Sequence, residues 1–364
     1  MNLKKLTQRF FPASLLLSII FFGAGCISFS GSKNTQGALG IWKTVDGGKT
    51  WEKQAALPTP QGVGSISAFG ISELVMDPSD KFALYAGTDQ DGLLVSLDGG
   101  DGWQRVREPS LREGRVRAVA VDPKDKCNIF VSRAQRLSKS TDCGRTFNTE
   151  AYVDTRGSVI VTDVEIDWYN SNIVYLTTTD GDVIKSTDAG ESWATIYRAS
   201  SEIRDLLIDL SDSRVLLVAT ARKGLHRSVD GGATWTDVLK DGYDDLKDVR
   251  KLVKLAQDKG GKTTLALSGA GLIRSADHGA TWESVPLLPT GSVKLTSLGV
   301  DPRDGRRIML GAGATIYVTQ DGGAKWDTEK MPAQALATNF VFDPTNGKTV
   351  YLGLQAIENE GELF

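Results

Sequence analysis

The sequence predicts an all-β fold: a seven-bladed β-propeller of four-stranded antiparallel blades, with the ring closed by pairing of the N- and C-terminal strands. Three observations predict it. A polar octapeptide that mostly ends in Trp occurs seven times, at intervals of 42 to 52 residues. Apolar segments typical of strands stand between the copies, and about 45 residues is the usual length of one four-stranded blade. The two ends of the chain carry complementary parts of one such unit.

The octapeptides follow the pattern S/T-x-D-x-G-x-T-W and begin at residues 44, 96, 140, 186, 228, 275 and 319. In such a turn the Asp carboxylate can accept backbone N–H groups, and the Gly supplies a positive φ. The aromatic residue at the end buries a large apolar area. We therefore expect a structural role, in the hairpin between third and fourth strands, rather than catalysis or calcium binding. The aspartates are Asp46, Asp98, Asp142, Asp188, Asp230, Asp277 and Asp321.

The remaining strands and the closure of the ring follow from the segments around the octapeptides. An apolar strand ending in Asp precedes most copies, as in residues 74–77 and 119–122, and a second strand follows it. The first octapeptide has only residues 40–44 before it, which is enough for one strand. Residues 340–354 form two strands with no octapeptide of their own. We expect these halves to complete one blade, which also removes an exposed sheet edge.

The octapeptide resembles the Asp-box, or BNR, repeat, and the resemblance covers nearly all of the chain beyond its N-terminal segment. Single-propeller chains of this size resemble the photosystem II stability/assembly factor family and the sortilin-type BNR domains. Both resemblances imply non-enzymatic binding of a protein client. No motif supports a photosynthetic role, so only the functional class is carried over. The resemblance therefore implies a scaffold that binds a protein or peptide, and we expect it to be a monomer.

The N-terminal segment has the pattern of an export signal. Basic residues at positions 4, 5 and 9 precede an apolar run over residues 10–22. Small residues then lead to Cys26, which resembles the lipidated cysteine of bacterial lipoproteins. An ordinary signal peptide and an uncleaved anchor are the alternatives. We expect residues 1–25 to be a signal peptide, residues 26–38 a tether and residues 39–364 the propeller, held at the cell envelope by lipid alone.

Composition narrows the classes of function. The chain has 42 Lys and Arg against 45 Asp and Glu, a net charge of −3. Because no excess of positive charge is available to neutralise phosphates, a nucleic-acid partner is not expected. Two His and three Cys offer little material for a transition-metal site. We therefore expect no metal and no cofactor.

Two cysteines are predicted to pair. Cys127 lies in the turn between the first and second strands of its blade, and Cys143 lies in an octapeptide turn. Both turns lie at the same end of an up-and-down blade, and an exported protein meets oxidising conditions. We expect a disulfide between them; two free thiols are the alternative if the Cα atoms are more than about 7 Å apart.

A candidate binding site lies where the innermost strands begin, opposite the octapeptide turns. Alignment of these strands on their terminal Asp places Arg117, Arg204 and Arg250 in one ring of residues. Three arginines at one level could hold a carboxylate or an acidic peptide. Asp163 and Asp205 follow at the next position and are included in the candidate site. They could instead neutralise the arginines, in which case the cluster is structural.

An enzymatic function is the alternative to client binding. Sialidases share the repeat, but their Arg-Ile-Pro motif is missing here. Xyloglucanase-type glycosidases resemble this chain in their blades, although they typically place two catalytic carboxylates between two propellers. A carboxylate pair could lie among Asp163, Asp205 and residues 244–248, but the sequence selects none. We therefore assign no catalytic residue, and the glycosidase remains the alternative.

Overall fold

The computed structural model describes residues 39–243, 245–287 and 294–357. These residues form seven four-stranded antiparallel sheets and one two-stranded sheet. The seven-bladed propeller predicted from the sequence is confirmed. Cys26 and the segments assigned to the signal peptide and tether lie outside the described residues. Within the described residues, no helix is long and apolar enough to cross a membrane.

The first half of the ring starts with two strands of the blade that closes it. A hairpin, blade 1, blade 2 and blade 3 follow in chain order, with one 3-10 helix at Pro109–Leu111 before blade 2. The strands are β1 (Gly40–Thr44), β2 (Glu52–Gln54), β3 (Ala56–Thr59), β4 (Gly62–Ser65), β5 (Ile71–Asp77), β6 (Asp80–Thr88), β7 (Leu93–Ser96), β8 (Gln104–Arg105), β9 (Val116–Val121), β10 (Ile129–Arg133), β11 (Arg136–Ser140), β12 (Asn148–Val153), β13 (Val161–Ile166), β14 (Val174–Thr178), β15 (Asp182–Ser186) and β16 (Ala194–Arg198).

The second half contains blades 4, 5 and 6 and the inner half of the closing blade. The strands are β17 (Ile203–Ile208), β18 (Leu216–Thr220), β19 (Leu225–Ser228), β20 (Thr236–Asp237), β21 (Leu252–Gln257), β22 (Thr264–Ser268), β23 (Gly271–Ser275), β24 (Glu283–Ser284), β25 (Leu295–Asp301), β26 (Asp304–Ala312), β27 (Thr315–Thr319), β28 (Asp327–Lys330), β29 (Leu336–Asp343) and β30 (Asn346–Gln355).

The closing blade joins the two ends of the described chain. Its strand order is β2-β1-β30-β29, so the N-terminal hairpin forms the outer half and the C-terminal hairpin the inner half. Strand β1 pairs antiparallel with β30, from Gly40 opposite Leu354 to Thr44 opposite Val350. This is the pairing expected from the complementary chain ends, and it leaves no open edge in the ring.

The octapeptide turns share one hydrogen-bond pattern. In the first, the Thr44 hydroxyl accepts the N–H of Gly48 at 3.0 Å, and the Asp46 carboxylate accepts the N–H of Thr50 at 3.0 Å. Gly48 has a φ of 101°, a conformation that side chains with a Cβ rarely adopt. Equivalent bonds occur in the other six turns. The turns therefore fix the ends of the third and fourth strands of every blade.

The hydrophobic core lies between neighbouring blades. The cluster between blades 2 and 3, for example, packs Phe130 and Leu137 of one sheet against Val161 and Leu176 of the next. The octapeptide aromatics contribute to these interfaces. Trp193 packs edge-on against Phe130, with ring centroids 6.5 Å apart. Burial of these faces holds adjacent blades together and so fixes the inner strands around the central channel.

Candidate functional site

Each inner strand begins with a β-bulge, and the bulges together form the mouth of the channel. In β5, Ile71 pairs with Thr88 and Glu73 with Gly87, which leaves Ser72 as the extra residue. The same register shift occurs in the other six blades. A bulge redirects side chains at the end of a strand, here toward the channel mouth. The seven bulge residues are Ser72, Arg117, Thr162, Arg204, Val253, Thr296 and Thr338.

The sequence alignment predicts that Arg250 belongs to this set of bulge residues, and that prediction is wrong. The register of β21 puts Val253 at the bulge of blade 5, three residues beyond Arg250. The Arg250 guanidinium instead forms an ion pair with Asp237 on β20, at 2.6 Å, and donates to the carbonyl of Leu239 at 3.0 Å. Asp258, the residue directly after β21, stands five residues beyond Val253, as Asp122 does beyond Arg117. The sequence alignment did not use Asp258, so the register of this strand was misassigned.

A cavity of about 200 Å³ opens at the mouth, where three arginines and Lys254 outnumber the carboxyl groups of Glu73 and Glu202. Arg115, Arg117 and Arg204 all line it. Arg115 lies 3.4 Å from a carboxylate oxygen of Asp89, and Arg204 lies 3.2 Å from one of Glu202. Hydroxyl groups complete much of the remaining wall, from Ser72, Thr162, Thr296 and Thr338. The arrangement offers several hydrogen-bond donors to an anion.

Arg117 differs from the other two arginines in having no ion-pair partner. No carboxylate oxygen of the described residues lies within 4.0 Å of its guanidinium. Burial lowers the pKa of Arg117, and the positive charges of Arg115 and Arg204 lower it further, while the more distant carboxylates of Glu202 and Asp89 offset only part of this effect. These shifts mean that the folded protein places Arg117 in an unfavourable electrostatic environment. An anionic ligand at the mouth would relieve it.

A second cavity adjoins the mouth on the side of blade 4. It has a volume of about 540 Å³ and shares Glu202 and Arg204 with the first. Arg222 and Lys223 also line it. The cationic surface therefore continues outward from Arg204, and a ligand larger than a single carboxylate could contact both cavities.

Asp163 and Asp205 lie one step farther into the channel and do not neutralise the arginines. Each carboxylate accepts a backbone N–H from the next inner strand: Asp163 from Leu206 at 2.8 Å and Asp205 from Leu255 at 2.5 Å. Asp205 also lies 3.4 Å from the ammonium group of Lys254. These contacts tie neighbouring inner strands together, which is a structural use of both side chains.

The channel holds three further charged residues, Glu73, Glu165 and Lys254. The sequence alignment places Glu73 at the level of Asp163 and Asp205, but sequence reasoning missed Glu165 and Lys254. Burial raises the pKa of Glu73, Asp163 and Glu165, and the negative charge of Asp205 raises each further. The pKa of Glu165 rises to about 8. The pKa of Lys254 is raised chiefly by Asp205 and Glu73. A charged residue at an alternate position of an otherwise apolar inner strand was the available signal.

The channel carboxylates do not form a metal site in the structure. No group of three or more His, Cys, Asp or Glu side chains among the described residues is placed to hold a metal ion. Burial is the largest cause of the raised pKa values of Glu73, Asp163 and Glu165, and the neighbouring charge of Asp205 adds to it, because both disfavour the ionised form.

The two cysteines of blade 2 lie together at the octapeptide end of the ring. Cys127 and Cys143 form a disulfide, and the N–H of Cys143 donates to the carbonyl of Cys127 at 3.2 Å. Cys143 takes a φ of 61°, at the place where four of the other octapeptides carry Gly and the remaining two carry Ala189 and His278, also at positive φ. The bridge therefore links the turn between the first and second strands of the blade to the turn between its third and fourth strands, away from the mouth.

Comparisons with known proteins identify the fold. No family model and no curated protein matches the sequence. Among solved structures, the GH74 xyloglucanase from Xanthomonas campestris is 15% identical, with a TM-score of 0.63 over 86% of this chain and 52% of its own. This chain thus spans about half the length of that enzyme. A structure of YCF48 bound to D1 peptide is also 15% identical, with a TM-score of 0.61 over 78% of this chain and 93% of the other. YCF48 from Cyanidioschyzon merolae is similar at 15% identity and a TM-score of 0.61, over 82% and 98% of the two chains. At these identities, the similarity establishes the propeller fold.

Proposed function

We propose that this protein is a non-enzymatic scaffold that binds a carboxylate-bearing segment of a protein or peptide at the channel mouth. The observation that carries the proposal is the environment of Arg117. It lines the mouth cavity beside Arg115 and Arg204, and it has no ion-pair partner among the described residues. A guanidinium group binds a carboxylate through two parallel hydrogen bonds, which makes an acidic segment a suitable ligand.

The shape of the surface supports a peptide over a small anion. The mouth cavity and its neighbour share Arg204, and Arg222 and Lys223 extend the positive charge outward. An acidic side chain could bind at Arg117 while the rest of the segment follows the second cavity. A structure of YCF48, which has the same fold, has been solved with a peptide bound.

The proposed location is the cell envelope. The basic start, the apolar run and the small residues before Cys26 are typical of a lipoprotein signal. Residues 26–38 would then tether the propeller to the membrane surface. The octapeptides are consistent with the Asp-box class, whose single propellers include client-binding proteins.

A glycosidase is the second candidate, and the channel carboxylates are the observation that favours it. The raised pKa of Glu165 would suit a general acid. Against this, Asp163 and Asp205 accept backbone N–H groups from neighbouring strands, and they lie below the mouth rather than in an open cleft. Turnover of a xyloglucan or β-glucan panel, lost in Glu165→Gln, would establish the enzyme.

The binding proposal is tested with a fluorescent peptide containing several glutamates. We expect Arg117→Ala combined with Arg204→Ala to weaken binding at least about tenfold, because two charge-assisted contacts are lost. Arg214→Ala is the matched control: this exposed arginine pairs with Asp212 at the octapeptide end of blade 4. Equal affinity of the double variant and wild type would remove the mouth as the binding site. A photo-crosslinker in place of Thr296 then captures the client in intact cells.

A further inference from the structure

The hairpin formed by β3 and β4 stands apart from the blades. It lies in the connection between the outer strand of the closing blade and the inner strand of blade 1. Its first strand is attached to the ring, since the carbonyl of Ala56 accepts the N–H of Trp103 at 2.8 Å. Its second strand is exposed along all 4 residues, and the Val63 side chain is 78% exposed.

The backbone groups of β4 alternate between the hairpin and solvent. The N–H of Ile66 donates to the carbonyl of Ala55 at 3.0 Å, which fixes one hydrogen-bonded pair. In an antiparallel ladder, hydrogen-bonded and non-hydrogen-bonded pairs alternate. Gly64 and Gly62 therefore bond to β3, whereas the N–H and C=O groups of Val63 and Ser65 point away from it. Pro58, which has no N–H, lies opposite Val63 and fits this register.

The free edge of β4 is short, at 4 residues, but carries no charge, proline or bulge that would discourage pairing. Charged residues, prolines and bulges on edge strands discourage pairing with another chain. Every outer strand of the seven blades contains at least one charged residue. Strand β4 has the sequence GVGS, with no charge and no proline. Strand β4 is therefore an exposed edge without the charged residue that each outer blade strand carries.

We propose that β4 is a second binding site, which captures an extended peptide segment as an additional β-strand. Backbone groups of Val63 and Ser65 would bind the segment, and the two glycines leave room for its side chains. A second copy of this chain is the less suitable occupant. An edge of 4 residues buries far less than the roughly 1,000 Å² that a specific interface between two folded proteins needs. A single flexible segment can bind to so short an edge, because its binding does not require two folded propellers to bury a large shared surface.

The test measures binding of a fluorescent, uncharged peptide of alternating threonine and valine. Val63→Pro removes an outward N–H that β3 does not use, so we expect at least about a tenfold loss of affinity with the hairpin retained. Val63→Ala is the matched control, because it keeps the N–H, and it should bind like wild type. The Arg117→Ala, Arg204→Ala protein leaves β4 unchanged and should also bind like wild type.

Two further measurements make the proposal independent of how well the proline variant folds. Methylation of the peptide amides along one edge should abolish binding to the wild-type protein. In hydrogen exchange, the peptide should slow the amides of Val63 and Ser65 while Gly64 and Ile66 are already protected. Equal affinity of the Val63→Pro and Val63→Ala proteins overturns the proposal. So does a wild-type dimer that Val63→Pro converts to monomer, since a second copy would then occupy the edge.

Discussion

The Glu165 side chain makes the stability of this propeller depend on pH in a predictable direction. Burial and the charge of Asp205 raise its pKa from 4.5 to about 8 in the folded protein. The folded state therefore binds a proton more tightly than the unfolded chain. Stability from this group is fully present below pH 4.5 and is lost as the pH rises through about 8. Glu165→Gln carries a neutral amide at every pH and removes this dependence.

The magnitude follows from the size of the pKa change. At about 1.4 kcal/mol for each pH unit, a rise from 4.5 to about 8 corresponds to at most about 5 kcal/mol. Because Glu165 keeps partial contact with solvent in the channel, we expect about 1–3 kcal/mol. The Glu165→Gln protein should match wild type near pH 5 and exceed its free energy of unfolding by that amount near pH 9.

Urea unfolding, followed by tryptophan fluorescence at pH 5, 7 and 9, measures this difference. Glu52→Gln is the control, since Glu52 is an exposed residue on β2 and its substitution should give no pH-dependent change. His226, whose pKa is lowered by burial, is common to all three proteins, so its contribution cancels in the comparison. A Glu165→Gln curve parallel to wild type from pH 5 to 9 would show that the carboxyl group is not confined as described.

Three other outcomes are expected. Lys254→Met leaves the channel carboxylates without their counter-ion and should cost about 3–5 kcal/mol in urea unfolding, more at high pH, with partial recovery when Asp205→Asn is added. Cys127→Ser opens a loop with a sequence separation of 16 and should lower stability by about 3 kcal/mol by calorimetry, and reductant should then have no further effect. Asp46→Ala removes the acceptor of the first octapeptide turn and should cost about 1–2 kcal/mol in urea. Since hydrogen bonds from Thr50 lower the pKa of Asp46 to about 2, the contribution of this carboxylate is present above pH 4 and lost toward pH 2, which acid unfolding would detect.

The fold could be predicted because its determinants are local and repeated. Each octapeptide combines an acceptor side chain, a glycine at positive φ and an aromatic residue within eight positions, and this combination specifies one turn wherever it occurs. The closing blade could be predicted from counting alone, since Gly40–Thr44 and Asn346–Gln355 are the two missing parts of one sheet. The hairpin of β3 and β4 could not be predicted, because residues 54–70 contain no repeat and only tertiary contacts fix their conformation.

The candidate site could be predicted only where the inner strand was recognised as an apolar run that leads to an Asp. In blades 2 and 4, the terminal Asp of the inner strand fixed the register, and Arg117 and Arg204 do line the mouth. In blade 5 the equivalent residue is Asp258, which follows the polar Gln257 and was not recognised, so the alignment was displaced by three residues and selected Arg250. The ammonium group of Lys254, which neutralises Asp205, was missed for the same reason. Register, rather than residue type, was the missing information.

The vertical order of charges in the channel limits how a ligand could bind. Three guanidinium groups and the carboxyl group of Glu73 line the mouth cavity, whereas Asp163 and Glu165 lie outside that lining. A carboxylate that descended past Arg117 would add a negative charge near Asp163 and Glu165, whose pKa values burial and the charge of Asp205 already raise, and would also have to displace the backbone contacts of Asp163. The arrangement therefore favours an acidic segment that rests across the mouth over one that threads the channel, and substitutions at the mouth should affect binding more than Glu165→Gln does.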